Sequence, residues 1–363
     1  MRRLVCSGLC ALVPALAVAQ PAAATTAPAS WSVQHSPNVG TFENFLAGVA
    51  ATSASSAWAV GEYFNSSTGG TLIQHWNGQR WAVQPSPNVG SADGLSGVAA
   101  TSASSAWAVG FYQNGSGPDR TLIEHWNGQA WGIQPSPDAS GSNSLTSVAG
   151  TSAANAWAVG YSVQGSRVQT LIEHWNGQGW AVQPSPDPGS VNQLYGVAAT
   201  SAANAWAVGL YENGTAPDRT LIEHWNGRRW AVQPSPNVGT GFNDLYGVAA
   251  TSAANAWAVG KTLIEHWNGR RWAVQPSPSA GSVDAVAATS ASSAWAVGGY
   301  RHSTPPNRTF IEHWNGQRWA VQPSPSVGVS ANSLFGVAAT SAANAWAVGS
   351  YRGISRTLIL NYP

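Results

Sequence analysis

Cysteine is almost missing from this chain: two residues in 363, Cys6 and Cys10, both within the first nineteen positions. A chain cleaved after Ala19 carries none, which excludes a disulfide framework, a thiolate nucleophile and a cysteine-ligated metal. Charge is just as sparse. Asp, Glu, Lys and Arg supply 9% of the residues, with a formal net charge of +1 and a single lysine, Lys261; an average globular protein carries about 25%. Without Arg2 and Arg3 the balance is 14 positive against 15 negative groups, or −1. No basic stripe for nucleic acid and no polybasic membrane patch can be built from that. His-Glu-x-x-His, Gly-x-Ser-x-Gly and a phosphate-binding glycine loop are also missing. The sequence therefore assigns no catalytic residue, no metal ligand and no cofactor.

The N-terminus runs from basic (Arg2, Arg3) through an apolar stretch to the small residues Ala17-Val18-Ala19. That order marks a secretory signal peptide over 1–19, and the apolar run is too short to span a bilayer. Residues 20–30, rich in Ala, Thr and Pro, read as a disordered linker before a domain over 31–363. Secretion is the expected localisation, without membrane insertion.

What the chain has in abundance is tryptophan, 20 residues, and repetition. Ala-Trp-Ala-Val-Gly recurs with its Trp at 58, 107, 157, 206, 257, 295 and 346, spaced by 49, 50, 49, 51, 38 and 51. His-Trp-Asn-Gly has its Trp at 76, 126, 175, 225, 267 and 314, and Trp-x-x-Gln-x-Ser-Pro starts at 31, 81, 131, 180, 230, 272 and 319. Every Trp belongs to the repeat. In the second unit this predicts strand a over 95–101, strand b over 106–110, strand c over 121–126 and strand d over 131–134. Asn127-Gly128 turns c into d, since both residues tolerate positive φ. Pro135 and Pro137 follow d, where proline blunts an exposed sheet edge.

Four antiparallel strands in each of seven units define an all-β fold, a seven-bladed β-propeller. The last unit ends at Tyr362-Pro363 without a strand d, and Trp31-Ser32-Val33-Gln34 is a strand d without a unit before it. The N-terminal strand is thus expected to complete the last blade and close the ring.

The a–b and c–d turns are nearly the same in every unit, whereas the b–c and d–a loops differ, as across 62–70, 111–120, 161–169, 210–219, 299–308 and 350–356. Packing does not dictate those loops, and variable loops on a rigid scaffold are where binding residues sit. The alternative reading is a set of tolerant surface loops. Candidate ligand-binding residues on that face are Tyr63, Phe111, Tyr112, Tyr161, Tyr211, Tyr300, Arg301, His302, Tyr351 and Arg352, with Phe64 beside them. The competing reading makes each tyrosine that follows a strand-b glycine a packed continuation of the strand. The second residue of strand a also varies: Ala47, Ser96, Thr146, Tyr195, Tyr246, Asp284 and Phe335. If it faces the channel mouth it forms an asymmetric ring, which adds Tyr195, Tyr246 and Phe335 to the candidates. Blade five lacks nearly all of its b–c loop, leaving only Lys261; the readings are a notch in the face there or a neutral deletion.

A Glu-His pair recurs at 124/125, 173/174, 223/224, 265/266 and 312/313, with Gln74-His75 in the first unit. Adjacent strand residues point to opposite faces, so one pair cannot chelate one metal. A Glu meeting a His of the next blade is expected to be a structural hydrogen bond. The acids Glu43, Glu62, Asp93, Asp119, Asp138, Asp187, Glu212, Asp218 and Asp244 sit toward the variable face, but spacing does not select a glycosidase pair among them.

Leu-x-Gly-Val-Ala, Ala-Trp-Ala-Val-Gly and Leu-Ile-Glu-His-Trp-Asn-Gly-x-x-Trp cover 31–363. The pattern resembles secreted bacterial seven-bladed propellers of kelch-like and Asp-box-like type. It is also similar to photosystem II assembly-factor propellers, through Trp107-Ala108-Val109-Gly110 and the Gly128-Gln129-Ala130-Trp131 turn. Trp-Asn-Gly stands where an Asp-box has Asp-Gly-Gly, so sialidase chemistry is not implied. A weaker likeness, over 123–131, is to fucose-binding propeller lectins, in which Glu, Trp and a strand-b Arg hold the sugar; strand b here has no Arg.

The expected function is a secreted, monomeric, non-enzymatic binding module for a glycan or an extracellular or envelope protein. A glycan hydrolase or lyase and a purely structural surface protein are the alternatives.

Overall fold

A computed structural model of the chain describes residues 29–66, 68–139, 141–261, 263–278, 281–300, 307–328, 331–351 and 355–363. The expected signal peptide lies outside them. All regular structure among these residues is β, in 28 strands.

Each repeat forms a four-stranded antiparallel sheet in the order a-b-c-d. In the second, a is Ala92–Ser102, b Ser105–Gln113, c Arg120–Trp126 and d Trp131–Ile133. The third and fourth sheets are further tied by one parallel bridge, Val168 to Val191. In the last sheet Ser32–Gln34 pairs with Arg356–Tyr362, Val33 opposite Leu360. The N-terminal strand therefore supplies the strand d that the C-terminus lacks.

The repeated Ala-Trp-Ala-Val is a two-faced strand. Alternation sends Trp58 and Val60 toward the second sheet and Ala57 and Ala59 the other way. The large face of one blade thus meets the small face of the next, Trp58 and Val60 against Ala106 and Ala108. Seven hydrophobic clusters result among the described residues, each spanning two consecutive sheets. One joins Trp346 and Val348 of the last sheet to Leu46 and Ala59 of the first.

Tryptophan geometry repeats with the same fidelity. Trp58 meets Trp131 of the next blade edge-on, centroids 5.1 Å apart at 88°, and Trp346 meets Trp81 at the same distance and angle. At the sixth-to-seventh seam Trp31 fills this position against Trp295, at 5.2 Å and 89°. Tyr362 stands there for the strand-c Trp, 4.8 Å from Trp295. Edge-to-face pairs add about 0.5–1.5 kcal/mol each to the area they bury.

Two local details differ from the sequence reading. Asn127 does not take positive φ; only glycines do among the described residues, Gly128 at +94°. The Asn127 Oδ1 instead accepts the N–H groups of Gln129 and Ala130, both at 3.0 Å, which makes the connection a four-residue loop. Strand b also continues two to four residues past its glycine in every blade except the fifth. Its hydrogen bonding to strands a and c carries it into what the sequence assigned to the loop.

Candidate functional site

The face carrying the b–c and d–a loops rests on buried polar anchors. Asn44, Asp93, Asn143, Asn192, Asn243 and Asn332, two residues before the bulky apolar residue of strand a, are all buried. Most of them accept N–H groups of their own d–a loop, as Asn44 Oδ1 does from Val39 and Gly40 at 2.9 and 2.8 Å. A second anchor follows the Pro-Ser-Pro turn. Asp138 and Asp187 accept the N–H of Thr121 and Thr170, at 3.0 and 2.9 Å. Asp138 also pairs with Arg120 at 2.9 Å. Three of the nine candidate acids, Asp93, Asp138 and Asp187, thus hold loops in shape.

The candidate aromatics divide by their register on strand b. Tyr63, Tyr112, Tyr211, Tyr300 and Tyr351, two residues past the glycine, pack against the interblade clusters. Tyr300 meets Phe310 edge-on at 4.7 Å, and Phe64 meets Phe45 at 6.5 Å. Phe111 and Tyr161, one residue past the glycine, belong to the opposite strand face: Phe111 lies against Gly94 and Tyr161 interacts with Tyr195. Arg301, His302 and Arg352 lie outside the described residues.

The variable position of strand a has a structural cause. In all seven blades the a–b register slips across it, as between Leu46 and Gly48 or Leu334 and Gly336. A bulge leaves one residue unpaired and re-aims its side chain. The closing glycine of strand b makes the slip possible: a Cβ on Gly61 would lie 2.0 Å from the Phe45 carbonyl oxygen. The seven bulged residues, Ala47, Ser96, Thr146, Tyr195, Tyr246, Asp284 and Phe335, line a single cavity of about 150 Å³.

That ring is chemically lopsided. Tyr195 and Tyr246 face each other with centroids 5.8 Å apart. Their hydroxyls donate to Gln193 and to Asp244 respectively. Burial, with smaller contributions from neighbouring tyrosines and carboxylates, raises the Tyr195 phenol above its ordinary range. Thr146 turns its hydroxyl to the carbonyls of Val159 and Leu194, at 3.0 and 2.8 Å, while Phe335 is 39% exposed.

The structure selects acids that spacing could not. Asp218, before strand c of the fourth blade, and Asp244, before strand a of the fifth, are within hydrogen-bonding reach of each other, and Asp218 also of Glu212. Burial is the main cause that raises both aspartates; Glu212 adds to the rise at Asp218 and Asp218 to that at Asp244. Asp244 at the first, the Tyr246 hydroxyl at the second and Lys261 at both oppose it. Alongside, Asp218, Arg219, Asn237, Thr240 and Asn243 line a second cavity of about 400 Å³. Lys261, in the notch of blade five, places its Nζ 5.3 Å from the Phe242 ring centroid. In the first blade Glu62 is raised by burial and, less, by Glu43. Phe42 and Phe242, 56% and 60% exposed on d–a loops, escaped the sequence reading. Their signal was a bulky aromatic where the other loops carry small or polar residues.

The Glu-His pairs do not bridge from blade to blade through each other. Each His turns to its own strand b, as His174 Nε2 does to Asn155 at 2.8 Å, and packs on the Trp there, 4.1 Å from Trp157. Burial lowers these imidazoles, His75 through His313, which favours their neutral form. Each Glu is fully buried and accepts the Ser hydroxyl of the preceding Pro-Ser-Pro turn, Ser136 to Glu173 at 2.9 and 3.1 Å. Burial pushes Glu124, Glu173, Glu223 and Glu265 up to about 8 against the opposing pull of these hydroxyls.

No protein-family model matches the chain, and no curated protein matches it in sequence. Solved structures do. YCF48, a photosystem II assembly propeller, bound to D1 peptide matches with a TM-score of 0.58 at 14% identity, over 95% of this chain and 99% of that one. YCF48 from Cyanidioschyzon merolae matches at 0.55 and 14%, over 92% and 99%. The extracellular domain of a hybrid two-component system from B. thetaiotaomicron matches at 0.55 and 9%, over 91% of this chain and 39% of that longer one. At these identities the likeness shows the fold, a β-propeller.

Proposed function

We propose that residues 20–363 form a secreted, monomeric, non-enzymatic binding module. In this reading the seven blades close into one ring, and the face of the b–c and d–a loops engages an extracellular or envelope protein or a glycan. The observation that carries it is the axial cavity. Seven units that agree almost everywhere else place seven bulged side chains around one opening, and there they differ: two tyrosines, an aspartate, a phenylalanine and three small residues. Pre-organised aromatic and hydrogen-bonding groups at such an opening supply affinity with little ordering cost. A polypeptide partner is favoured because a propeller of this fold has been solved with a peptide bound. Hydrolysis is disfavoured at the Asp218–Asp244 pair. Glycosidase carboxyls stand about 5–9.5 Å apart to admit the sugar or water, whereas these two lie close enough to act directly on each other's ionisation.

The test is capture of proteins and glycans, from culture fluid and cell-wall material and on a glycan array, by residues 20–363. Saturable capture that Tyr195→Ala and Phe335→Ala abolish, with the melting temperature kept, supports the reading. Capture indifferent to both variants, or no capture at all, rejects it.

A further inference from the structure

We infer that the seam between the fourth and fifth blades, where Asp218, Asp244 and Glu212 meet beside Tyr195 and Tyr246, is a subsite for an arginine or lysine side chain of a polypeptide partner. The inference rests on the binding-module reading above and names the chemistry of its ligand.

Asp244 is 8% exposed. Its Oδ2 accepts the Tyr246 hydroxyl at 3.1 Å, but its buried Oδ1 has no donor among the described residues. Asn243, next to it, donates its N–H to the Asp218 carbonyl at 3.0 Å, so the two segments run side by side. Carboxyls held this close can only accept from each other once a proton or a cation lies between them. A planar guanidinium, with its fork of donors, meets that need better than any neutral group.

The surroundings argue for a tethered cation rather than a metal ion. Among the described residues no cluster of His, Cys, Asp or Glu is arranged to hold a metal. The cavity of about 400 Å³ that Asp218 lines gives a side chain room to enter. Phe242, between the lining residues Gly241 and Asn243, stands exposed beside it, ready for the apolar neighbours of a basic residue in a peptide. The chain's own lysine shows the same chemistry at this spot, with its ammonium over the Phe242 ring. Lys261 and Arg219 are the positive groups a ligand meets there, and the b–c loop shortened in this blade alone leaves the approach open.

The probes are an acetylated Gly-Phe-Arg-Gly-Gly amide and its twin with citrulline for arginine, titrated into residues 20–363 by calorimetry or NMR. Citrulline keeps the shape and removes the charge. The arginine peptide is expected to bind about tenfold more tightly. D218N/D244N should erase that preference, and the more conservative E212Q should reduce it with the fold intact by circular dichroism. K261M should strengthen arginine binding. Equal affinity for the two peptides, an unchanged preference in D218N/D244N, or no arginine binding at about 1 mM overturns the subsite. Those results leave the binding-module reading standing, since that fails when nothing is captured or when capture does not depend on the Tyr195 and Phe335 face.

Discussion

Ser86 donates its hydroxyl to both carboxyl oxygens of Glu124, each at 3.0 Å, across the seam between the first and second blades. The same bond recurs from Ser136, Ser185, Ser235 and Ser277 to Glu173, Glu223, Glu265 and Glu312. In the first blade Gln74 takes the place of Glu, accepting from Ser36 at 3.0 Å and donating to the Pro37 carbonyl at 2.9 Å. A protonated carboxyl can match both roles, and a carboxylate cannot.

This makes the seams sensitive to alkali. In an unfolded chain these carboxyls ionise near 4.5, and in the folded one four of them only near 8. The folded state therefore holds more protons between those values. The contribution of these groups to stability is fully present below about pH 4.5, falls as pH rises, and is lost above about 8. Glu→Gln at 124, 173, 223 and 265 should flatten that slope in melts from pH 5 to 9. At pH 9 each substitution should stabilise by about 1–3 kcal/mol.

Trp31→Ala should cost as much as Trp131→Ala, about 3–5 kcal/mol in denaturant unfolding. Both rings fill the same edge-on position against a buried Trp of the preceding blade. A much smaller loss at Trp31 would mean that the N-terminal strand does not seal its seam.

Tyr112→Ala and Tyr211→Ala should lower stability by about 1–3 kcal/mol, because both rings pack on interblade clusters. Phe335→Ala, on an exposed ring at the axis, should change it by less than about 0.5 kcal/mol. Thermal melts of the three variants separate packing residues from surface ones.

Gly110→Ala should be among the most damaging single changes, about 3 kcal/mol or more. Its Cβ would lie 1.9 Å from the Gly94 carbonyl oxygen, which the bulge of strand a brings there. Loss of soluble expression, or a melting temperature well below wild type, is the expected reading.

The sequence by itself determined the blade. Motif spacing counts seven units, and Asn-Gly and Pro-Ser-Pro mark where strands stop. The missing last strand d and the stray first one place Ser32–Gln34 beside Arg356–Tyr362. These features are local, and repetition amplifies each of them. Only the tertiary structure decided which variable residues share a surface. Strand b runs past its glycine, so its tyrosines alternate between a packed seam and the axis, and Tyr112 went to the seam. The bulge at Tyr195 and Tyr246 depends on hydrogen-bond register between strands, which no single strand encodes. Asp218 and Asp244 belong to different blades, and their meeting is set by how two sheets pack. Contact between repeats is a property of how the sheets pack, so spacing along the chain could name those acids but could not pair them.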